Sequence, residues 1–349
     1  MSLRKIGFFI LILISACLAC SKDDGDDALI PIEINDRTEQ QKVDDSLLID
    51  YLGRHYYNSN ELEALGSNVA IKDIEITELL EGEELPNGNT LLINDVEIHE
   101  NLIYNDANYK YYILRLNQGS GESPTFADTV RVNYEGFTLD GNVFDSRVLQ
   151  DSDMAGNIYG WKQIVPQFNA SNSSNIIGLD DGTINYSNHG VGIMFMPSGL
   201  GYFNATNAGF SYACLIFKFD LLQTFENDHD GDGIPSYIED INGDEEFISN
   251  FVDSNDDTDD DTDGDNLANY IDADDDGDGV LTINELERIT YIVNTNLLEE
   301  EPELDSSLEF IIDRQEEAGV ITIKTLRIID TDNNNIADYL DEDITIEYN

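Results

Sequence analysis

Acidic side chains recur in this chain at spacings that suit a hard cation. Between 228 and 239, oxygen-bearing side chains stand at positions 1, 3, 5, 9 and 12 of a loop (Asp228, Asp230, Asp232, Ser236, Glu239), with Gly233 at the turn and Ile234 after it, where a backbone carbonyl serves as a further ligand. The spacing returns at Asp261, Asp263, Asp265, Asn269 and Asp272, with Asn266 at the turn. It returns at Asp274, Asp276, Asp278, Thr282 and Glu285, with Val280 as the carbonyl residue, and at Asp330, Asp332, Asn334, Asp338 and Asp341, with Asn335 at the turn. Carboxylates packed this closely repel one another unless a cation neutralises them. Calcium fits an oxygen cage of this kind, whereas magnesium demands a tighter octahedron. The apolar residue after each turn (Ile234, Leu267, Val280, Ile336) has no reason to recur in a merely solvating acidic spacer. Asp240-Ile241-Asn242-Gly243-Asp244 begins the same way but lacks the turn glycine and the twelfth-position acid, and is discounted.

A second kind of chemistry is suggested between Asp128 and Arg147. Val130, Val132 and Tyr134 alternate with Arg131, Asn133 and Glu135, which predicts a half-buried strand. Leu139-Asp140-Gly141-Asn142 supplies a tight turn, and Val143 and Phe144 then re-enter an apolar face with Asp145 beside them. An acid next to an aromatic at a strand end is a candidate binding feature. His55, His99, His189 and His229 are scattered, so no zinc site or histidine-dependent nucleophile is expected.

Four ordered blocks resemble the FKBP family of peptidyl-prolyl cis-trans isomerases. They are Tyr134-Glu135-Gly136 through Asp140-Gly141 to Phe144-Asp145-Ser146, then Ile158-Tyr159-Gly160-Trp161, then Met196-Pro197-Ser198-Gly199-Leu200-Gly201-Tyr202, and the closing run Leu215 to Leu222. The resemblance implies an antiparallel sheet wrapped on a short helix. It also implies a proline pocket in which Tyr134, Phe144, Trp161 and Phe217 form aromatic walls, Ile158 presents its backbone N–H, and Tyr202 offers a hydroxyl. Asp145 at the rim would orient the twisted carbonyl or hold Tyr134 in place. Such a site needs no cofactor. The pattern departs from the family at the insertion 169–189 and at Gly209-Phe210-Ser211-Tyr212, and Arg147 stands near the family's basic position. The tandem acidic loops, with Asp272 closing one just before Asp274 opens another, resemble thrombospondin type-3 repeats more than paired EF-hand helices. By analogy with extracellular modules, their calcium affinity is expected at about 10⁻⁴ to 10⁻³ M.

The elements that must position these groups start at the N-terminus. Arg4 and Lys5 precede an apolar run from Ile6 to Ile14, and small residues lead up to Cys17 and Cys20. This resembles a bacterial lipoprotein signal, with Cys20 or Cys17 as the acylated residue and Ser21-Lys22-Asp23-Asp24 similar to a surface-export signal. The expected location is an exported lipoprotein of the outer membrane, on its periplasmic face or at the cell surface. Residues 21–38 read as an acidic tether. Val43, Leu47 and Tyr51, with Leu48, Leu52 and Tyr56, predict a helix between Gln40 and Tyr57. Weak strands are expected over 69–80 and 90–98, and a stronger one over 111–116.

The expected class is α+β, with an FKBP-like sheet and a loop-rich calcium-binding C-terminal region. The divisions are a signal at 1–20, a tether at 21–38, an accessory region at 39–108, an isomerase domain at 109–224, acidic repeats at 227–287 and a C-terminal unit at 288–349. The end of the third loop is expected to open a helix through Leu286, Ile289 and Val293. With 72 acidic and 17 basic residues the formal net charge is -55, which excludes a nucleic-acid partner. The expected partners are proline-containing polypeptides and, through the lipid, a membrane. Oligomeric state is not legible. The competing reading is a non-catalytic, chaperone-like peptide-binding lipoprotein on a calcium-binding stalk. Cys214, just before the closing strand's apolar core, is expected to be a buried packing residue.

Overall fold

Asp36 starts the first element by accepting the backbone N–H of Glu39 at 2.9 Å, an N-cap for helix α1 (Arg37–Arg54). The structure is a computed structural model that describes residues 34–249 and 258–348. Cys17, Cys20 and the signal therefore lie outside the described residues. No helix among the described residues is long and apolar enough to cross a membrane. The strands β1 (His55–Tyr57), β2 (Ile76–Glu78) and β3 (Thr90–Leu91) form a small antiparallel sheet, with the short helix α2 (Ser59–Leu65) after β1 and the single turn α3 (Leu92–Asp95) after β3. The weak strands expected over 69–80 and 90–98 thus shrink to a few residues each, because turns interrupt their alternation.

The main sheet contains β4 (Glu97–Tyr104), β5 (Ala107–Asn117), β6 (Thr129–Thr138), β7 (Val143–Asp153), β10 (Gly190–Met196) and β11 (Leu215–Phe225). Its order is β4-β5-β10-β11-β6-β7, antiparallel throughout. The sheet therefore reaches back past the boundary drawn at 109 and takes in part of the accessory region. The insertion after Phe168 forms a separate hairpin of β8 (Ile176–Gly178) and β9 (Ile184–Tyr186).

All residues of β10 are buried, so both faces of the sheet need cover. Met194 and Met196, with Phe217 and Phe219 of β11, point to one side and pack with helix α4 (Tyr159–Ile164). Ile193 and Phe195, with Ile216, point to the other and pack under Leu48 and Leu52 of α1. The expected helix is present, and of its expected apolar face Leu48, Tyr51 and Leu52 are buried but Val43 and Leu47 are not. Gln41, Asp44, Leu48, Tyr51 and Leu52 face the sheet, while Val43 and Leu47 are exposed. Asp44, fully buried, lies on the same face as Leu48, Tyr51 and Leu52. It accepts Ser198 N at 2.8 Å, Ser198 Oγ at 2.6 Å and Gln40 Nε2 at 2.7 Å. Burial raises its pKa, and those three donors oppose the shift. Cys214 is a free, buried cysteine in the same layer.

C-terminal to the main sheet, the 274–285 loop ends in the turn α5 (Thr282–Glu285), and the chain then forms a sheet of β12 (Glu287–Asn294), β14 (Val320–Arg327) and β13 (Glu309–Glu317), in that order. This corrects the helix expected through Ile289 and Val293. Glu287 to Asn294 is rich in β-branched and aromatic residues, which suit an extended strand. The overall class is α+β with several antiparallel sheets and few helices, as expected. The division of the helix's apolar residues into buried and exposed is testable. Leu48→Ala should cost about 2–5 kcal/mol in urea unfolding, whereas Leu47→Ala and Val43→Ala should change stability by about 0.5 kcal/mol or less.

Candidate functional site

Two arrangements stand out, a pocket on the α4 side of the main sheet and the acidic loops beside it. The pocket encloses about 190 Å³ and is lined by Tyr134, Asp145, Ser152, Gly156, Asn157, Ile158, Trp161, Tyr202 and Phe217. Six of the seven residues expected to build it thus share its wall. The seventh, Phe144, does not line the cavity. It meets Phe217 edge-on at 5.4 Å and Tyr202 at 6.2 Å, so it supports the wall from behind. Trp161 packs edge-on against Phe217 at 5.3 Å and Tyr134 at 5.2 Å. These edge-to-face angles let three rings surround one small space without stacking it shut.

Two motif glycines make that packing possible. A Cβ on Gly136 would stand 2.5 Å from a Phe217 ring carbon and 3.0 Å from Phe144, and one on Gly160 would stand 2.2 Å from Met196 Sδ. Ile158 precedes the first turn of α4, its carbonyl accepts from Trp161 N at 2.9 Å, and its N–H takes no partner among the described residues. Tyr134 donates its hydroxyl to Asp145 Oδ2 at 2.7 Å, and the other carboxylate oxygen meets Arg147 at 2.8 Å and Ser146 N at 2.9 Å. Both oxygens of Asp145 are thus engaged, one with Tyr134 and the other with Arg147 and Ser146. Burial, then the hydrogen bond to Asp145, raise the pKa of Tyr134, and burial, then the charge of Asp145, raise that of Tyr202.

Neither departure from the family pattern reaches this wall. Residues 169–172 instead tie into the 118–122 loop, for example Ala170 N to Glu122 O at 2.8 Å, and Phe210 is half exposed away from the cavity. Ser152, Gly156 and Asn157, which the sequence did not single out, complete the pocket. Asn157 Nδ2 donates to Ser152 Oγ at 3.0 Å, and no spacing rule marks that pair. Larger clefts exist, including one of about 420 Å³ bordered by Tyr57, Asp95 and Arg115, but it lacks convergent aromatic rings.

The acidic loops share one backbone design. In three of them the first aspartate's carboxylate accepts backbone N–H groups from later in its own loop, Asp228 from Gly231 and Gly233, Asp261 from Gly264 and Asn266, and Asp330 from Asn333 and Asn335, whereas in the 274–285 loop Gly277 N donates to the backbone carbonyl of Asp274 at 3.0 Å. Left-handed residues follow at fixed places, Gly231 and Gly233, Gly264 and Asn266, Gly277 and Gly279, Asn333 and Asn335. The discounted segment does the same. Asp240 accepts from Gly243, Asp244 and Glu245, and Gly243 and Glu245 take φ of 75° and 62°. Glu245 thus takes the left-handed turn position without a glycine, although the segment still lacks a twelfth-position acid.

One carboxylate oxygen from each of Asp228, Asp230 and Asp232 converges within 4.8 Å, as do those of Asp261, Asp263 and Asp265 and those of Asp274, Asp276 and Asp278. Among the described residues, no donor reaches the buried oxygens Asp230 Oδ2, Asp274 Oδ1, Asp276 Oδ2, Asp278 Oδ2, or either carboxylate oxygen of Glu285. Burial, then neighbouring carboxylates, push Glu285 up to about 8. Cation ligation would relieve both conditions, so these residues fit a hard divalent ion. In the last loop, Asn334 Nδ2 donates to Asp341 Oδ2 at 2.7 Å, and fewer carboxylates converge.

The ninth-position residues do something other than expected. Ser236 Oγ, Asn269 Oδ1, Thr282 Oγ1 and Asp338 Oδ1 each accept the backbone N–H of the loop's second residue, at 3.1, 3.0, 3.2 and 2.8 Å, so these side chains brace the loop. Of the recurring apolar residues only Ile234 is fully buried, in a core with Leu286, Phe310, Leu326 and Tyr339, while Leu267 and Ile336 are exposed.

The segment between the first two loops also touches the pocket's helix. Lys162 of α4 pairs with Glu246 at 3.4 Å, Gln163 binds Glu245, and Phe247 packs 5.3 Å from Phe126. His229 reaches Asp153, at the end of β7, at 3.1 Å.

Residues 229–307, which take in the first three acidic loops from the second residue of the first, match the family model described as BamM C-terminal, not a thrombospondin type-3 repeat. No curated protein matches the chain. Among solved structures it is similar to the crystal structure of FkpA from Escherichia coli, with 24% identity over 33% of this chain and 47% of that one and a TM-score of 0.27. It is also similar to a peptidyl-prolyl cis-trans isomerase from Pseudomonas syringae pv. tomato, with 16% identity over 55% of this chain and 98% of that one and a TM-score of 0.29. The chain thus spans about half the length of FkpA.

The crowding at Gly136 generates a direct test of the pocket. Gly136→Ala should displace the Phe217 and Phe144 rings, lower stability by about 1–3 kcal/mol in denaturant unfolding, and shift the emission of Trp161, the only tryptophan.

Proposed function

We propose that the main sheet and α4 form an FKBP-type peptidyl-prolyl cis-trans isomerase, exported and lipid-anchored at the outer membrane through Cys20 or Cys17, acting on X-Pro bonds of exported polypeptides. The observation that carries this reading is the aromatic cavity closed by Trp161, Phe217 and Tyr134, with Tyr134 fixed by Asp145 and the Tyr202 hydroxyl on the wall. The ordered motif blocks in the sequence support it.

Rotation about an X-Pro bond meets a barrier of about 20 kcal/mol because the amide loses resonance when twisted. No nucleophile or cofactor is required. A twisted amide carries less charge separation than the planar one, so an apolar cavity of matching shape favours it over the ground state. The proline ring would sit between Trp161, Phe217 and Tyr134. The Ile158 N–H would bind a carbonyl of the peptide, and the Tyr202 hydroxyl would supply a second donor. Asp145 acts as a positioning residue for Tyr134, and Arg147 completes its hydrogen bonding.

We assign the acidic loops to structural calcium. The ions would neutralise carboxylates that otherwise repel one another, and the Lys162–Glu246 and Gln163–Glu245 contacts would transmit that order to α4.

The full chain should accelerate cis-to-trans conversion of an X-Pro peptide in a protease-coupled or fluorescence assay, and a rate equal to the uncatalysed one would remove the isomerase reading. Tyr202→Phe and Trp161→Ala should each lower kcat/KM by about tenfold or more, as expected for loss of an oriented donor or wall. If the protein only holds peptides, it will suppress client aggregation equally well with Asp145→Ala and show no turnover in either form. Millimolar calcium should raise the melting temperature of chelator-treated protein, and an unchanged melting curve would remove the calcium assignment.

A further inference from the structure

We propose that Asp275, the second residue of the 274–285 loop, is a ligand for the divalent cation of the 228–239 loop, so that one ion of the calcium class fastens the two loops together. This rests on the reading that the acidic loops bind calcium, and adds to it a ligand from outside the loop's own spacing.

Asp275, Asp232 and Glu239 each bring a carboxylate oxygen within 4.8 Å of the others. All three are at most 2% exposed. Among the described residues no hydrogen-bond donor reaches Asp232 Oδ2, Asp275 Oδ1 or either oxygen of Glu239, and none of the three forms an ion pair with Lys or Arg. Buried carboxylates without donors or a counter-charge are strongly unfavourable, and three together add mutual repulsion. A cation among them removes both costs.

The orientation of Asp275 is built rather than incidental. Its Oδ2 accepts from Thr282 Oγ1 at 3.1 Å and its N–H donates to the same oxygen at 3.2 Å, which turns Oδ1 toward the cluster. The corresponding second residues of the other loops are His229, Thr262 and Thr331, so a carboxylate there is no part of the shared loop design. Asp232 already accepts Ile234 N with Oδ1 at 2.8 Å, leaving Oδ2 for the ion. Glu239 closes the first loop and faces Asp275 across the junction. Oxygen-only ligands in a loop-built cage select calcium over softer metals.

The test uses the full chain, stripped with chelator and titrated calorimetrically with calcium. Asp275→Asn keeps the size of the side chain and its bond to Thr282. It should weaken one binding step by about tenfold or more, and that loss should disappear in a Glu239→Gln background, because both residues serve one ion. Its effect should add to that of Asp263→Asn, which belongs to the separate 261–272 loop. In chelator the Asp275→Asn protein should melt no lower than the unsubstituted chain, since a buried negative charge has been removed, yet it should gain less from calcium. A residue that only braced Thr282 would not give this inversion. Unchanged calcium affinities in Asp275→Asn, or losses that add with Glu239→Gln, overturn the assignment while leaving the calcium reading intact. An unsubstituted chain that takes up no calcium at millimolar concentration overturns both.

Discussion

Strand β10 lies at the centre of the main sheet with every residue buried, and this sets what the remaining chain must provide. A strand with two apolar faces is stable only between two covering layers. On one face α4 supplies the cover together with the aromatic pocket. On the other α1 does so, locked by the Asp44–Ser198 hydrogen bonds. The N-terminal region is therefore the second half of the core, and its strand β4 extends the same sheet.

Much of the pocket was legible because its parts are short local patterns. Alternation in β6 announced a half-buried strand, and the glycines of the Tyr-x-Gly and Gly-Trp blocks are explained by the rings and sulfur that would strike a side chain there. Ser152 and Asn157 were not legible, since their role depends on a loop returning to the sheet after β7. One edge of α1's face was misjudged for a related reason. Periodicity counted Val43 and Leu47 as inward along with Leu48, Tyr51 and Leu52, but the buried stripe runs instead through Asp44, whose three donors come partly from Ser198, a residue distant in sequence.

The acidic loops show the same division between local and distant causes. Spacing located them, because each is held by bonds within about a dozen residues. Spacing could not show that ninth-position side chains brace the backbone, nor that Asp275 faces Glu239, because the first is a choice between two partners for one oxygen and the second is a contact between loops. The strand at Glu287–Asn294 was mistaken for a helix because a helical turn does open there, at Thr282–Glu285, and then ends.

The segment discounted as a loop, Asp240 to Glu246, is the one that grips the pocket helix, through Glu246 on Lys162 and Glu245 on Gln163. Thermodynamic linkage gives that grip a symmetrical consequence. Whatever free energy a ligand among the carboxylates lends to one placement of α4, an occupant of the aromatic cavity that prefers the same placement returns in equal measure. A cation and a peptide that both favoured one placement of α4 would each tighten the other's binding by the same factor.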